Sequence, residues 1–227
     1  MAKMGTEIMV TIESIDKLCS YVREFEGCCE QLNKSIKRLI DRLPAGDLIT
    51  GTLEETTGAE DLIGAHIRFG DMEWTVLEQD DDSLFIVANK LLPAVYQFDA
   101  KGRNVWAKST MREELHQWLK EWAEENDVDK YIFPMRTEST NEASEVLGTS
   151  DDRVRLLTLE EQLRYRRLGL LPKYDDWQWT ITATRTYANL AWIVYTIGYV
   201  GTTSAYYAYR CAPSVYISLE APFERID

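Results

Sequence analysis

The chain has 227 residues, 45% of them hydrophobic and 28% charged, with a formal net charge of -13. These are ordinary proportions for a globular protein, and the length allows one large domain or one domain plus an appendage. The acidic excess argues against a nucleic-acid partner, because phosphate contacts need clustered Lys and Arg, and it argues equally against an anionic membrane surface. No stretch approaches the ~18 consecutive apolar residues of a membrane span, so membrane insertion is not expected.

Residues 1–8 carry Lys3 and Glu7 and no apolar run. That is not the pattern of a secretory signal, and cytoplasmic synthesis is expected. Cys19, Cys28, Cys29 and Cys211 show no CxxC spacing and are read as reduced.

The clearest periodicity lies over residues 12–43. Ile15, Val22, Cys29, Ile36 and Leu43 recur every seventh position, with Leu18, Phe25, Leu32 and Leu39 between them. This is the a/d seam of a coiled coil. Ile12 and Ile40 widen the apolar face, which also suits a helix packed on its own domain. Leu43-Pro44-Ala45-Gly46 stops the helix. Residues 44–62 lack periodicity and are rich in Gly, Thr, Glu and Asp. The chain therefore divides into an N-terminal helical segment, 1–47, a linker, 48–61, and a domain, 62–227.

Three short strands are expected between Ala65 and Val87, punctuated by Gly70-Asp71 and by Asp80-Asp81-Asp82-Ser83. Ser109 to Asn126 reads as a helix, with Thr110 and Glu113 as a capping box and Leu115, Trp118, Leu119 and Trp122 as its inner face. Residues 135–152 read as a polar loop and Val154–Leu157 as a strand. Thr158 with Glu161 caps a second short helix ending near Gly169. Trp177 to Leu219 is β-like throughout. The tryptophans Trp74, Trp106, Trp118, Trp177 and Trp179 are expected to be mostly buried.

Catalytic motifs are missing. There is no P-loop, GxGxxG or GxSxG pattern. The acidic groups Asp80-Asp81-Asp82, Asp151-Asp152 and Asp175-Asp176 fall at expected turns, where Asp is favoured by hydrogen bonds to the local backbone. His66 and His116 stand far apart with no nucleophile beside them, and each is expected to be structural or solvated. No metal and no cofactor is expected.

Residues 180–209 carry one charged side chain, Arg185, where the chain average would place about eight, and they hold six of the twelve tyrosines. A buried sheet core accounts for Ile193, Val194 and Ile197. It does not account for Tyr206-Tyr207, since neighbours in a strand point to opposite faces. Tyrosine offers large contact area with a polar tip, and Thr and Asn add adaptable hydrogen bonds, as in a paratope. The candidate ligand-contact residues are Thr182, Thr184, Arg185, Thr186, Tyr187, Asn189, Tyr195, Tyr206, Tyr207 and Tyr209. Their ligand is a protein or a glycan.

Several runs resemble an uncharacterised family of bacterial and phage proteins. Ile63-Gly64, Ile67-Arg68-Phe69-Gly70 and Trp74-Thr75-Val76-Leu77 are similar to its opening G-x-x-V-x-F-G and W-x-V-L. Trp106 to Arg112 with Leu115 and Trp118-Leu119 resembles its W-x-x-S-x-L-R-x-W-L helix. Arg155 to Glu161 and Trp177-Gln178-Trp179 match its later strand-and-helix and tryptophan-rich segments in order. Tyr209-Arg210-Cys211-Ala212 is similar to the G-F-R-C-A ending of the formylglycine-generating version of the C-type-lectin-like fold. The resemblance implies an α+β fold: a C-type-lectin-like domain with a twisted antiparallel sheet and two helices, preceded by the long N-terminal helix. The enzymatic activity does not carry over, because it needs a pair of cysteines and this domain has only Cys211. Such domains also serve as variable proteins of diversity-generating retroelements, in which mutagenesis of AAY codons randomises a C-terminal patch and never yields Lys, Glu, Gln, Met or Trp. Residues 180–209 contain none of these except Trp192. The resemblance thus implies a non-enzymatic binding protein, with a phage virion or a cell surface as its place of action. A relative of the formylglycine-generating enzymes and a structural virion component are the rival readings.

A helix over residues 12–43 spans about 48 Å at 1.5 Å per residue, more than its own domain easily covers. A homo-oligomer through this segment is therefore expected. Light scattering should give a multiple of the chain mass for the full protein and a lower multiple for a chain starting at Leu48. A monomeric full-length chain excludes self-association.

Overall fold

A computed structural model of the chain describes residues 61–195 and 198–226, all of which belong to the unit Ala59–Asp227. The helix expected over residues 12–43 and the linker lie outside the described residues.

The first three strands form where the sequence places them: β1 His66–Phe69, β2 Met72–Gln79 and β3 Ser83–Ala88. β1 alternates cleanly, with Ile67 and Phe69 inward and His66 and Arg68 outward. Gly70 turns the chain into β2 with φ 62°, and a Cβ there would strike the Trp122 ring. Two short strands, β4 Tyr96–Gln97 and β5 Ile132–Phe133, come before β6 Met135–Thr140 and β7 Val146–Asp152. The later strands are β8 Gln178–Ala183, β9 Leu190–Val194, β10 Val200–Ser204, β11 Ala208–Tyr209, β12 Ser214–Ser218 and β13 Phe223–Arg225. Six of them make the main antiparallel sheet in the order β13-β1-β2-β3-β12-β5. A second sheet has the order β10-β9-β8, and β4–β11 and β6–β7 form two-stranded ladders. The architecture is α+β.

Helix α1, Thr110–Glu125, buries Met111, Leu115, Leu119, Trp122 and Ala123. Its cap is Ser109, whose Oγ accepts from the Arg112 N–H at 3.2 Å. The sequence places the cap one residue later, at Thr110. That residue is engaged elsewhere: its N–H donates to Asp99 and its Oγ1 accepts from the Ala100 N–H. Helix α2, Leu159–Arg167, has the expected capping box, with Glu161 N–H on Thr158 Oγ1 at 3.0 Å and Thr158 N–H on Glu161 Oε2 at 2.8 Å.

The hydrophobic residues of β3 are buried on both sides of the main sheet. Leu84, Ile86 and Ala88 join the larger core with Ile67, Phe69, Trp74 and the inner face of α1. Phe85 and Val87 join a smaller core with Leu77, Leu157, Tyr165 and Tyr174. This explains why β3 reads as a continuous apolar run.

Two expectations fail. Residues 135–152 are the β6–β7 hairpin and not a polar loop. Its inward positions carry Thr137 and Ser139, both buried, so alternation is present but written in hydroxyls. Val154–Leu157 forms no regular strand: Arg155 makes a single bridge to Ser214, and the Leu157 carbonyl accepts from the Ile181 N–H of β8. No helix among the described residues is long and apolar enough to cross a membrane.

Trp74, Trp106 and Trp179 are buried, while Trp118 and Trp177 are half-buried and pack against the same core. The buried indoles all donate: Trp74 to the Phe69 carbonyl, Trp179 to the Tyr96 carbonyl and Trp106 to Asp152. Truncating a buried aromatic costs ~3–5 kcal/mol. Trp74→Ala should lower the urea unfolding free energy by that amount, and half-buried Trp177→Ala by clearly less. Equal losses would misplace the core.

Candidate functional site

The ten candidate contact residues separate into three groups. Thr186, Tyr187 and Asn189 are exposed on the loop between β8 and β9, and Tyr206 and Tyr207 on the turn between β10 and β11. Tyr195, Tyr209 and Arg185 take intermediate roles. Tyr195 lies tilted against Trp177 with centroids 4.6 Å apart, and Tyr209 packs edge-on against Trp179 at 5.2 Å. Arg185 is exposed but paired with Glu145 at 3.0 Å, and its N–H donates to Glu142. Thr182 and Thr184 are buried, which removes them as surface contacts. The Thr182 Oγ1 accepts from the Leu159 N–H at the start of α2, and the Thr184 Oγ1 donates to the Tyr187 and Leu190 carbonyls.

The exposed tyrosines sit on braced loops. Buried Asn104 donates its side-chain amide toward the carbonyls of Thr184, Tyr187 and Leu190 at 3.0, 3.0 and 2.8 Å, and its N–H donates to the Ala188 carbonyl. The Ala205 N–H donates to Asn189, joining the two tyrosine loops, and the Ala205 carbonyl accepts from the Asp99 N–H. Asp99 organises the segment 99–104. Its carboxylate accepts from the N–H groups of Lys101, Arg103 and Thr110 and from the Arg103 guanidinium at 2.8 Å. Burial raises its pKa, but these bonds, led by that from the Arg103 side chain, outweigh burial and hold it at about 2. Gly102, at φ 68°, lies directly under the Tyr206 ring, leaving no room for a Cβ. Asp99, Gly102 and Asn104 are not among the residues that stand out in the sequence. Their only signature is the turn chemistry of Asp, Gly and Asn within residues 99–104.

A concavity lies between the β6–β7 hairpin and α2, in two lobes of about 420 and 630 Å³ lined in common by Thr140, Ser144, Thr158, Glu160 and Arg164. Its most buried charges are already matched. Arg155 meets Glu161 through two bonds of 2.7 Å. Burial opposes the charge on Glu161, and the Arg155 bonds more than offset it, holding the carboxyl below its usual range. This pair also braces the capping box, so it is spoken for within the fold.

Asp152 is not at a solvated turn. It is buried in β7 and accepts from Trp106 Nε1 at 2.9 Å, Arg112 Nε at 2.5 Å and Ser150 Oγ at 2.9 Å, with His116 Nε2 at 3.1 Å. Burial works against its charge, and the bonds from His116, Trp106 and Arg112 pull its pKa well below the carboxylate range. His116 thus has a carboxylate partner, and the one hydroxyl bonded to that carboxylate, Ser150 Oγ, donates to its other oxygen rather than to the imidazole. Cys211, the one cysteine among the described residues, is fully buried, and burial pushes its thiol up, away from the reactive thiolate. His66 contacts Thr75 and Asn89. Among the described residues no group of three or more His, Cys, Asp or Glu is placed to hold a metal ion.

No protein-family model, curated protein or solved structure matches the chain.

Two measurements follow from the brace. Gly102→Ala collides with Tyr206 at a backbone angle unsuited to alanine, so it should cost ~1 kcal/mol or more in urea unfolding and change Tyr206 fluorescence or NMR signals. An unshifted Tyr206 signal would place the ring elsewhere. Asp99 and Asp152 both have folded pKa values below the unfolded value of about 3.9. Their stabilisation is complete above that pH and is lost as pH falls through it towards 2. Asp99→Asn should therefore destabilise the protein at pH 7 and much less at pH 2.5. A pH-independent difference would deny the ionised brace.

Proposed function

We propose that this protein is a non-enzymatic ligand- or receptor-binding protein. Its contact surface is the pair of braced loops bearing Thr186, Tyr187, Asn189, Tyr206 and Tyr207. One observation carries the reading: three large aromatic side chains, 53–61% exposed, stand on loops fixed from beneath by buried Asn104 and Asp99. A surface tyrosine on a pre-ordered loop binds without the entropy cost of ordering it. The ligand is a protein or a glycan.

The α+β architecture, with its antiparallel sheets and two helices, agrees with a C-type-lectin-like domain and supports membership of the retroelement-diversified variable proteins. The exposed positions of the two loops, Arg185 to Asn189 and Tyr206 to Ala208, hold only Arg, Thr, Tyr, Ala and Asn, all products of AAY-codon mutagenesis. Trp192 is half-buried in β9 and belongs to the fixed frame. The burial of Cys211 weighs against a relative of the formylglycine-generating enzymes, which requires an accessible thiol pair.

The test is genomic. A reverse transcriptase gene and a near-copy of the region encoding residues 180–209 should lie beside this gene. Sequencing the gene across a population should find substitutions concentrated at 186, 187, 189, 206 and 207, with 99, 102, 104, 182 and 184 constant. Substitutions spread evenly over buried and exposed positions would sink the diversification claim. Binding is tested separately, by immobilising the protein and a Tyr187→Ala, Tyr206→Ala, Tyr207→Ala triple variant on the same glycan and cell-surface arrays. Identical profiles would remove the surface from recognition.

A further inference from the structure

The sheet edges of the domain are unequal. The outer edge of the main sheet, β13, carries Glu224 and Arg225, and β7 carries exposed Asp151. Charges of this kind are how proteins keep exposed strand edges from pairing with other chains. Among the described residues β10 is also an edge strand, pairing only with β9. Its sequence, Val200-Gly201-Thr202-Thr203-Ser204, has no charge and no proline, and its ladder with β9 runs without a bulge.

The hydrogen-bond phase of β10 follows from its two ends. The Tyr195 N–H donates to the Tyr199 carbonyl at 2.8 Å, and the Ala205 N–H donates to Asn189 at 2.9 Å. Positions 199 and 205 therefore bond inward to the β9 side, as do 201 and 203 between them. In an antiparallel ladder the alternate positions turn their backbone groups the other way. Val200 and Thr202 thus point N–H and C=O out of the free edge, and Ser204 its N–H, while the Ser204 carbonyl accepts from the Tyr207 N–H in the turn that follows. Among the described residues no hydrogen bond reaches the backbone of Val200 or Thr202, and both are exposed. Tyr199 and Val200, 66% and 41% exposed, stand at one end of this edge, and Tyr206 and Tyr207 just past the other.

We infer that β10 is a self-association edge, pairing antiparallel with β10 of a second copy about a two-fold axis through Thr202. The register is fixed by the outward groups. Thr202 faces Thr202 as a hydrogen-bonded pair, and Val200 of each copy faces Ser204 of the other. The two three-stranded sheets then join into one of six strands. Charge selects the occupant. The whole chain carries -13, so two copies repel over most of their surfaces, and an uncharged edge is where they approach at least cost. The symmetric register also needs no second complementary sequence, because one strand supplies both sides. The exposed Tyr199 and Val200 of one copy come beside the 204–207 turn of the other, covering apolar surface that the single domain leaves in water. This inference does not depend on the proposed binding role of the tyrosine loops.

The test uses the full chain with Cys19, Cys28 and Cys29 changed to Ser. A hydrogen-bonded antiparallel pair has Cα atoms about 5.5 Å apart, within reach of a disulfide. Thr202→Cys should therefore cross-link to itself under mild oxidation, giving a band of twice the mass on a non-reducing gel. Thr203→Cys is the control. In this register position 203 faces Gly201, so the two 203 Cα atoms lie about 8 Å apart, and cross-linking should be at least tenfold slower. Thr202→Pro is the second variant. The Thr202 N–H points out of the sheet, so proline removes only the intermolecular bond, and the mass by light scattering should fall twofold with the circular dichroism unchanged. The two cysteine variants leave the backbone intact and decide the matter if the proline variant does not fold. Cross-linking of Thr202→Cys no faster than that of Thr203→Cys overturns the pairing and leaves the edge to an unrelated strand.

Discussion

Asp152 is a carboxylate with its side chain wholly out of water, and an isolated charge there would be too costly to keep. It is tolerated because donors from three elements converge on it: the indole of Trp106 from the turn before α1, the guanidinium of Arg112 and imidazole of His116 from α1, and the hydroxyl of Ser150 from β7 itself. Removing one partner of such a buried set typically costs 3–5 kcal/mol, because the charge that remains is unmatched. The arrangement therefore specifies geometry more than it adds stability. The hairpin has few apolar side chains to hold it, and this carboxylate fixes it to the helix. The Ser139 hydroxyl extends the same junction by accepting from the Ala107 N–H.

The same logic recurs at the tyrosine loops. Loop 184–190 has little apolar surface to bury, so its carbonyls must find donors, and buried Asn104 faces three of them. Asp99 does the converse, gathering N–H groups that a tight turn leaves without carbonyl partners. The outcome is a division of labour. Apolar burial holds the main sheet and α1, while buried polar side chains set the shape of the loops on which the candidate contacts stand.

This division explains what the sequence disclosed. β1 to β3, the inner face of α1 and the Thr158–Glu161 box were legible, because each is a local pattern of apolar spacing or capping chemistry. The exposed Thr186, Tyr187, Asn189, Tyr206 and Tyr207 stood out through the lack of charge around them. The β6–β7 hairpin was hidden because Thr137 and Ser139 occupy the inward positions where Val or Ile would have announced a strand. Thr182 and Thr184 share their composition with the surface and differ only in being aimed inward. Asp99, Asn104 and Asp152 read at most as turn residues, and their bracing roles were hidden, since a short polar residue that braces a distant segment looks like one that faces water.

The contact between Gly102 and Tyr206 constrains the order in which this surface can change over generations. While position 206 holds a ring, position 102 is locked, for reasons of space as well as backbone angle. If position 206 shrinks to Ser or Ala, the space beneath it opens, and a residue such as Asn, which tolerates a positive φ, becomes acceptable at 102. The reverse route is closed, because a side chain installed at 102 first would meet the aromatic ring. Once both positions have changed, a return of tyrosine to 206 is blocked as well. A single glycine in the frame thus acts as a ratchet on the history of the contact surface above it.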